Sequence, residues 1–353
     1  MLKNSLKIAV SICLAGGFLW LAFRNVALSD LLIYFSSMNY GWLPPYVMVV
    51  VVSHWARTER WLLLLKEEEG VAIKKKKLFT GVMLGYAVNY AVPRLGEVSR
   101  CVYVAKKHNV SASALLGTVI LERILDLICL AGIMLVVGFY LISDITILQN
   151  IFGDRIINYL QNFYTFQNIV KLIAAGLAVV GFFWGVLKLA DLLSYKYKWV
   201  EKLYRRFQQL NRTLLDGLMS LRNVDNWWLF AVWTGLIWIG YTLLMYLPFW
   251  MFDLQSTYNL TMLDAVSIMA IASIGIVIPS PGGVGTYHYF VKQALLFLAS
   301  VPALTGLAYA LVTHAVMMLV VLLVTLIMIF IDAEKGFGIN DLRTLNESKS
   351  HSN

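Results

Sequence analysis

Long apolar stretches, separated by short polar or basic connections, run the length of this chain. Those near 8–23, 42–65, 113–142, 169–190, 227–252 and 303–331 suit helices crossing roughly 30 Å of hydrocarbon, which predicts about six full membrane spans. Two more, 78–105 and 262–300, are interrupted by proline and glycine. The first break reads Val92-Pro93-Arg94-Leu95-Gly96-Glu97 and the second Ile278-Pro279-Ser280-Pro281-Gly282-Gly283-Val284-Gly285. Hydrocarbon offers no water to backbone amides and carbonyls, so a broken helix survives at membrane depth only where protein or a polar cavity covers it. Both stretches therefore read as re-entrant helical hairpins that enter to mid-membrane and return to their own side. Matched breaks in two halves of a membrane protein point to a transport site.

Charge placement sets the topology. Lys66 and Lys74 to Lys77 flank one connection, and Lys196, Lys198, Lys202, Arg205, Arg206, Arg212 and Arg222 crowd another. Basic loops of this kind face the cytoplasm. Lys77 precedes the first hairpin and Lys106 with Lys107 follows it, so both its ends are cytoplasmic; Asp253 and Asp264 precede the second and Val301-Pro302 follows, so both its ends are external. The basic-poor loops 24–41, 143–168 and 253–261 then fall outside. The chain threads span, span, hairpin, span over 1–142, and the same order from the opposite side over 169–331. That is an inverted repeat, resting on element order and parity because the halves share little sequence beyond the breaks. The expected fold class is an all-α polytopic membrane protein with about six transmembrane helices and two re-entrant hairpins. It forms a single membrane domain over 1–335, with a polar cytoplasmic tail at 336–353 and both termini cytoplasmic. Residues 196–222 alternate apolar and basic positions at helical spacing and read as an amphipathic helix on the cytoplasmic leaflet, with a shorter outer counterpart over 28–38.

Composition narrows the class. At 59% hydrophobic and 14% charged residues, with a mean hydropathy of +0.72, the chain holds more apolar material than a soluble core of this size can hide. A net charge of +9 would suit nucleic acid, but the basic residues sit in a few loops where anionic lipid headgroups are the fitting partner, so no nucleic acid is expected. The run Ile8 to Phe23 follows Lys3 and Lys7 without a small-x-small cleavage site, and reads as a retained first helix. Cys13, Cys101 and Cys129 lack CxxC spacing or neighbouring histidines and read as packing residues, with no metal expected.

An ionisable side chain inside a span costs about 2.5–3.5 kcal/mol, so each intramembrane cluster is a functional candidate. His54, Arg57 and Arg60 recur at helical spacing on the second span; Arg94, Glu97 and Arg100 lie three apart on the returning leg of the first hairpin; Glu122 and Asp126 sit one turn apart with Arg123 beside Glu122. The structural alternative is that these arginines pair with Glu59, Glu97, Glu122 and Asp126 to hold helices together, although apolar packing would serve as well. Arg60 and Glu59 lie close enough to the cytoplasmic end to snorkel. Both hairpin tips start a returning helix near the midplane, where free amides favour an anion such as phosphate. Gly282, Gly283 and Gly285 permit tight turning and close backbone approach, and Pro279 and Pro281 stop the incoming helix. His288, one turn beyond Gly285, reads either as a proton carrier or oxyanion ligand or as a hydrogen-bonded packing residue; His314 and His54 favour the packing role. Most Trp and Tyr residues are assigned to interfacial belts.

The ordered motifs Asn89-Tyr-Ala-Val-Pro93-Arg94-Leu-Gly96-Glu97-Val-Ser-Arg100, Glu122-Arg123-Ile-Leu-Asp126 and Pro279-Ser-Pro281-Gly282-Gly283-Val-Gly285 resemble the flippase-like transmembrane region of lysylphosphatidylglycerol synthases and its stand-alone relatives. The resemblance covers nearly the whole chain. It implies movement of an aminoacylated phospholipid between leaflets, with amino-acid transfer from charged tRNA left to a separate soluble domain. No such domain is read here, so synthase activity is not expected. Members of that family often carry Glu where this chain has His288, which puts any coupling or headgroup role of that Glu in question here.

The reading is a lipid flippase of the bacterial inner membrane. It carries a phosphate-bearing, anionic or zwitterionic headgroup through a polar cavity between the hairpins while the hydrocarbon chains stay in the bilayer. Arg57, Arg94, Arg100 and Arg123 meet the phosphate with Arg60 also in the binding set, Glu97, Glu122 and Asp126 balance them or bind a cationic headgroup group, and Asn89, Pro93, Gly96 and the second glycine motif shape the site. No nucleotide motif or cofactor is read, which leaves a proton, an ion gradient or the lipid's own gradient as driving force. The alternative is a membrane enzyme acting on a lipid-linked substrate with Glu122 or Asp126 as acid/base, for which no Asp-rich motif, nucleophile elbow or HExxH speaks. A homo-oligomer or a separate lipid-modifying enzyme is left open as partner.

Overall fold

A computed structural model of the chain describes residues 16–23, 35–65, 74–142, 219–278 and 280–333, with isolated positions elsewhere. Among the described residues every regular element is helical. Residues 16–23, the visible part of the first predicted span, are helical; most of the span near 169–190, of the amphipathic helix over 196–222 and of its counterpart over 28–38, and the tail at 336–353, lie outside the described residues.

A single 3-10 turn, Tyr40–Trp42, leads into α1 (Leu43–Leu64), and Asn39 Oδ1 accepts the Gly41 N–H at 3.0 Å to set the entry. Pro44 and Pro45 fall in the first turn of α1, where a missing N–H breaks no helical hydrogen bond. The first broken stretch forms α2 (Lys75–Ala91) and α3 (Leu95–His108). Lys75, Lys76 and Lys77, read as loop, are thus the first turn of α2. Then come α4 (Ala112–Ile142), α5 (Trp227–Met251) and the short α6 (Leu254–Tyr258), a helical turn inside the predicted 253–261 loop. Asn226 Oδ1 starts α5 by accepting the Leu229 N–H at 2.9 Å. The second broken stretch forms α7 (Met262–Val277) and α8 (Thr286–Ala299), with a 3-10 turn, Pro281–Gly283, between them. Thr261 and Asp264 form a reciprocal capping box that starts α7. The last helix is α9 (Ala303–Ala333); α5 and α9 are long and apolar enough to cross a membrane.

The chain divides into two compact units, one built from Met1–Ala112 and Asn223–Asn353, the other from Ser113–Arg222. In the first, α1 packs along α5, α2 along α3, α7 along α8 and α8 along α9, while α2 also rests on α1 and α9. The α2–α3 pair runs antiparallel with its backbones touching: a Cβ on Gly85 would stand 2.9 Å from the Gly96 carbonyl oxygen, and one on Gly96 would collide with the Gly85 carbonyl. At the far end of that pair, the buried Asp332 of α9 accepts hydrogen bonds from the Lys77 ammonium on α2 and the Tyr103 hydroxyl on α3. One carboxylate thereby clamps three helices. Asp332→Asn is expected to lower stability by about 2–3 kcal/mol, because the Lys77 charge loses its counterion in a site it only partly leaves; thermal unfolding in detergent checks this, with Asp332→Glu closer to the parent.

Candidate functional site

At the first break, Arg94 is the N-cap of α3 in the left-handed region, with φ 65°. A non-glycine residue there is uncommon, and the surrounding network holds it. Asn89 Oδ1 accepts the Gly96 N–H at 2.8 Å, and its Nδ2 donates to Glu97 Oε2 at 3.4 Å. Asn89, on the last turns of α2, thus closes the break by taking one of the free N-terminal amides of α3. The Arg94 side chain is exposed, and Pro93 is half-buried beside it.

The second break is closed by a similar economy. The Gly285 N–H donates to His288 Nδ1 at 3.2 Å, Thr286 Oγ1 bonds the Gly283 carbonyl at 3.1 Å, and Ser280 Oγ meets Thr286 Oγ1 at 2.9 Å. Gly282, Gly283 and Gly285 all have positive φ, the conformation that glycine alone adopts without strain. Pro279 lies outside the described residues. Because His288 Nδ1 accepts a hydrogen bond, the proton of its neutral ring stands on Nε2. His314 of α9 bonds the Gly282 carbonyl through Nε2 at 2.9 Å; a carbonyl only accepts, so that nitrogen carries the proton. The His288 and His314 rings meet edge to face with centroids 5.0 Å apart, and Tyr287 stacks on His314 at 5.2 Å.

The two breaks meet. A Cβ on Gly282 would come within 2.6 Å of the Tyr90 ring and 3.3 Å of the Tyr90 Cα, so the second break rests directly on the last turn of α2. From that contact a polar seam runs inward through the first unit. Tyr86, one turn before Tyr90, lies 3.5 Å from the Tyr241 hydroxyl and packs edge to face on His54. Tyr241 in turn accepts from Arg57 Nη2 at 2.8 Å. On the other side, Tyr46 and Tyr287 both bond Thr313, at its carbonyl (2.8 Å) and its hydroxyl (3.0 Å).

The arginines are interior groups. Arg57, Arg60 and Arg100 are 2%, 0% and 3% exposed. Arg60 therefore does not snorkel, and Glu59, also buried, takes an ion pair from Lys75 at 2.9 Å. The Arg100 guanidinium lies 4.6 Å from the centre of the Trp61 ring, a cation–π contact joining α3 to α1. In the second unit α4 carries Glu122, Arg123 and Asp126; Glu122 is buried, and Arg123 stands 3.8 Å from Asp126 one turn on.

Two sequence expectations are qualified. The tip amides are not all open to an anion, since Asn89 and His288, the third residue of α8, occupy one at each break. Interfacial belts account for most Trp and Tyr residues in the sequence reading, but Tyr46, Tyr287 and Tyr309 are buried among the helices. Tyr86, Tyr90, Tyr241 and Thr313 of the polar seam and Lys292 of α8 are not among the residues that the sequence singles out, and His314, read as a packing residue, bonds the Gly282 carbonyl. The spacing of Tyr86, Asn89 and Tyr90 on one helical face and the isolation of Lys292 in an apolar run were the available signals.

Every regular element among the described residues is helical, two of them are long and apolar enough to cross a membrane, and the matching family is a membrane one. The family model for the lysylphosphatidylglycerol synthase TM region matches residues 5–325, and the chain belongs to that family. No curated protein and no solved structure matches it.

Proposed function

We propose that this protein is a lipid translocase of the bacterial inner membrane, moving a phosphate-bearing lipid between leaflets through a polar passage between two re-entrant hairpins, α2–α3 and α7–α8. The observation that carries the reading is the meeting of the two breaks at Tyr90 and Gly282, at the head of a seam leading to buried Arg57. Helix length supports re-entry. At 17, 14, 16 and 14 residues, the four legs are about 21–26 Å long, short of the roughly 30 Å core. Local correspondence supports an inverted repeat: Gly85 lies against Gly96 and Arg100, and Gly275 lies against Thr286 and Phe290, at identical spacing. The third residue of each returning helix, Glu97 or His288, also accepts a hydrogen bond at its break, from the Asn89 amide or from the Gly285 N–H. In this reading the buried arginines attract the phosphate, the tyrosine and threonine hydroxyls replace its water, and one repeat rocks against the other to expose the passage to alternate sides.

Purified protein in liposomes is expected to exchange at least one of a panel of phospholipids and a polyprenyl phosphate between leaflets, with the lipid chemically unchanged. Arg94→Ala combined with Glu97→Ala abolishes that exchange. No exchange of any lipid, or a chemically altered product, would overturn the reading, the second outcome in favour of a lipid-modifying enzyme.

A further inference from the structure

The passage does not use Lys292. This residue lies on α8 nearly two turns beyond its start and is 5% exposed. Its Nζ donates to the backbone carbonyls of Ala22 at 2.7 Å and Leu21 at 3.1 Å, and stands 6.0 Å from the Tyr289 ring centre. Gly306 of α9 abuts its backbone and Cγ, a Cβ there falling 3.4–3.6 Å away. Among the described residues no carboxylate pairs with it. Residues 16–23 carry no ionisable group. On α9 the nearest titratable side chain is Tyr309, whose hydroxyl donates to the Met245 carbonyl. On α7 the sole charged residue is Asp264, at its opposite end. On α8 itself the neighbour is His288, one turn nearer the break, with His314 beyond it.

An ammonium enclosed in a membrane domain with no carboxylate beside it among the described residues is costly unless it does something. A permanent charge would be better served by arginine, whose fork satisfies several carbonyls and which does not titrate; lysine is the residue type that sheds its proton when desolvated. The contact is also selective. The same two carbonyls belong to the segment that packs Ala22 against Leu307 and Ala308 of α9, so the charge sits where the first helix docks.

We propose that Lys292 is a proton-binding site that couples proton movement to the docking of residues 16–23. With the proton bound, three N–H donors and a full charge hold the Leu21 and Ala22 carbonyls on α8. When the proton leaves to water, the neutral amine keeps two weaker donors and the segment is released. This rests on the translocase reading for its purpose, where it supplies the coupling ion, but docking is testable without transport.

Spin labels on cysteines replacing Trp20 and Leu319, both exposed, in a chain whose own cysteines are replaced, report the distance between residues 16–23 and α9. As pH rises from about 6 to about 10, the docked-to-released ratio is expected to fall about tenfold. Lys292→Arg stays docked throughout and Lys292→Met is released throughout. A pH-independent distance in the parent, or Lys292→Arg titrating like it, overturns the proposal; should Lys292→Met fail to fold, the arginine variant decides. In liposomes, an imposed pH gradient accelerates lipid exchange by the parent and not by Lys292→Arg. A parent that titrates in the distance measurement but exchanges no lipid defeats the translocase reading and leaves the proton site standing.

Discussion

Gly96→Ala is expected to destabilise the protein by about 3 kcal/mol, at the upper end of overpacking costs. The added methyl would collide with the Gly85 carbonyl and come within 2.6–2.7 Å of the Asn89 amide, and neither can give way cheaply. The carbonyl is helical backbone, and Asn89 is held by its bonds to Gly96 and Glu97. Relief would require α2 and α3 to separate, releasing the network that closes the first break. Thermal unfolding in detergent measures the loss. Gly132→Ala is the matched control, because nothing lies within 4 Å of a Cβ built there. Alanine in a helix interior should then be neutral or stabilising by up to about 1 kcal/mol. If the two substitutions had equal effects, the close backbone contact between α2 and α3 would be wrong.

Arg57→Gln is expected to reduce leaflet exchange at least about tenfold, a barrier increase of about 1.4 kcal/mol. Glutamine keeps a polar head of moderate size and can still reach a hydroxyl, but it removes the positive charge that the translocase reading places before the phosphate. Arg57→Lys keeps the charge and loses the planar fork, so it should fall between the two. Tyr241→Phe removes the hydroxyl that accepts from Arg57 at 2.8 Å while leaving the ring in place, and should cost less than the loss of the charge. The decisive outcome is a folded Arg57→Gln variant, with unaltered thermal unfolding, that exchanges lipid at the parent rate; it would remove Arg57 from the path.

Much of the helical order was legible along the chain because it depends on local chemistry. Apolar runs of sufficient length became α1, α4, α5 and α9 nearly at their expected limits, and Pro93, Pro281 and the glycines after it marked where backbone hydrogen bonding must change. The short legs α2, α3, α7 and α8 follow from the same breaks. The helical turn α6 escaped notice because five residues carry too little periodicity to register. Lysines 75–77 read as loop because a run of charge resembles a polar connection and does not by itself mark where a helix begins.

The buried charges of the candidate site are legible in the sequence and its neutral polar groups are not. Arg57, Arg60 and Arg100 stand out because ionised groups are rare in apolar runs, and all three are buried. Tyr46, Tyr90, Tyr241 and Thr313 do not stand out, since a tyrosine facing headgroups and one facing a protein interior have the same sequence signature.

The sequence by itself determined that this is a helical membrane chain, where its helices break, and which charges must be sheltered, because hydrocarbon imposes those rules residue by residue. Only the tertiary structure decided that Asn89 and His288 close the two breaks, that Tyr90 meets Gly282, and that Lys292 holds the first helix. Each of those pairings depends on a distance of a few ångströms between groups, and Tyr90 with Gly282 and Lys292 with Ala22 lie far apart in the chain. A hydrogen bond is specified by where its acceptor sits, and that position comes from packing.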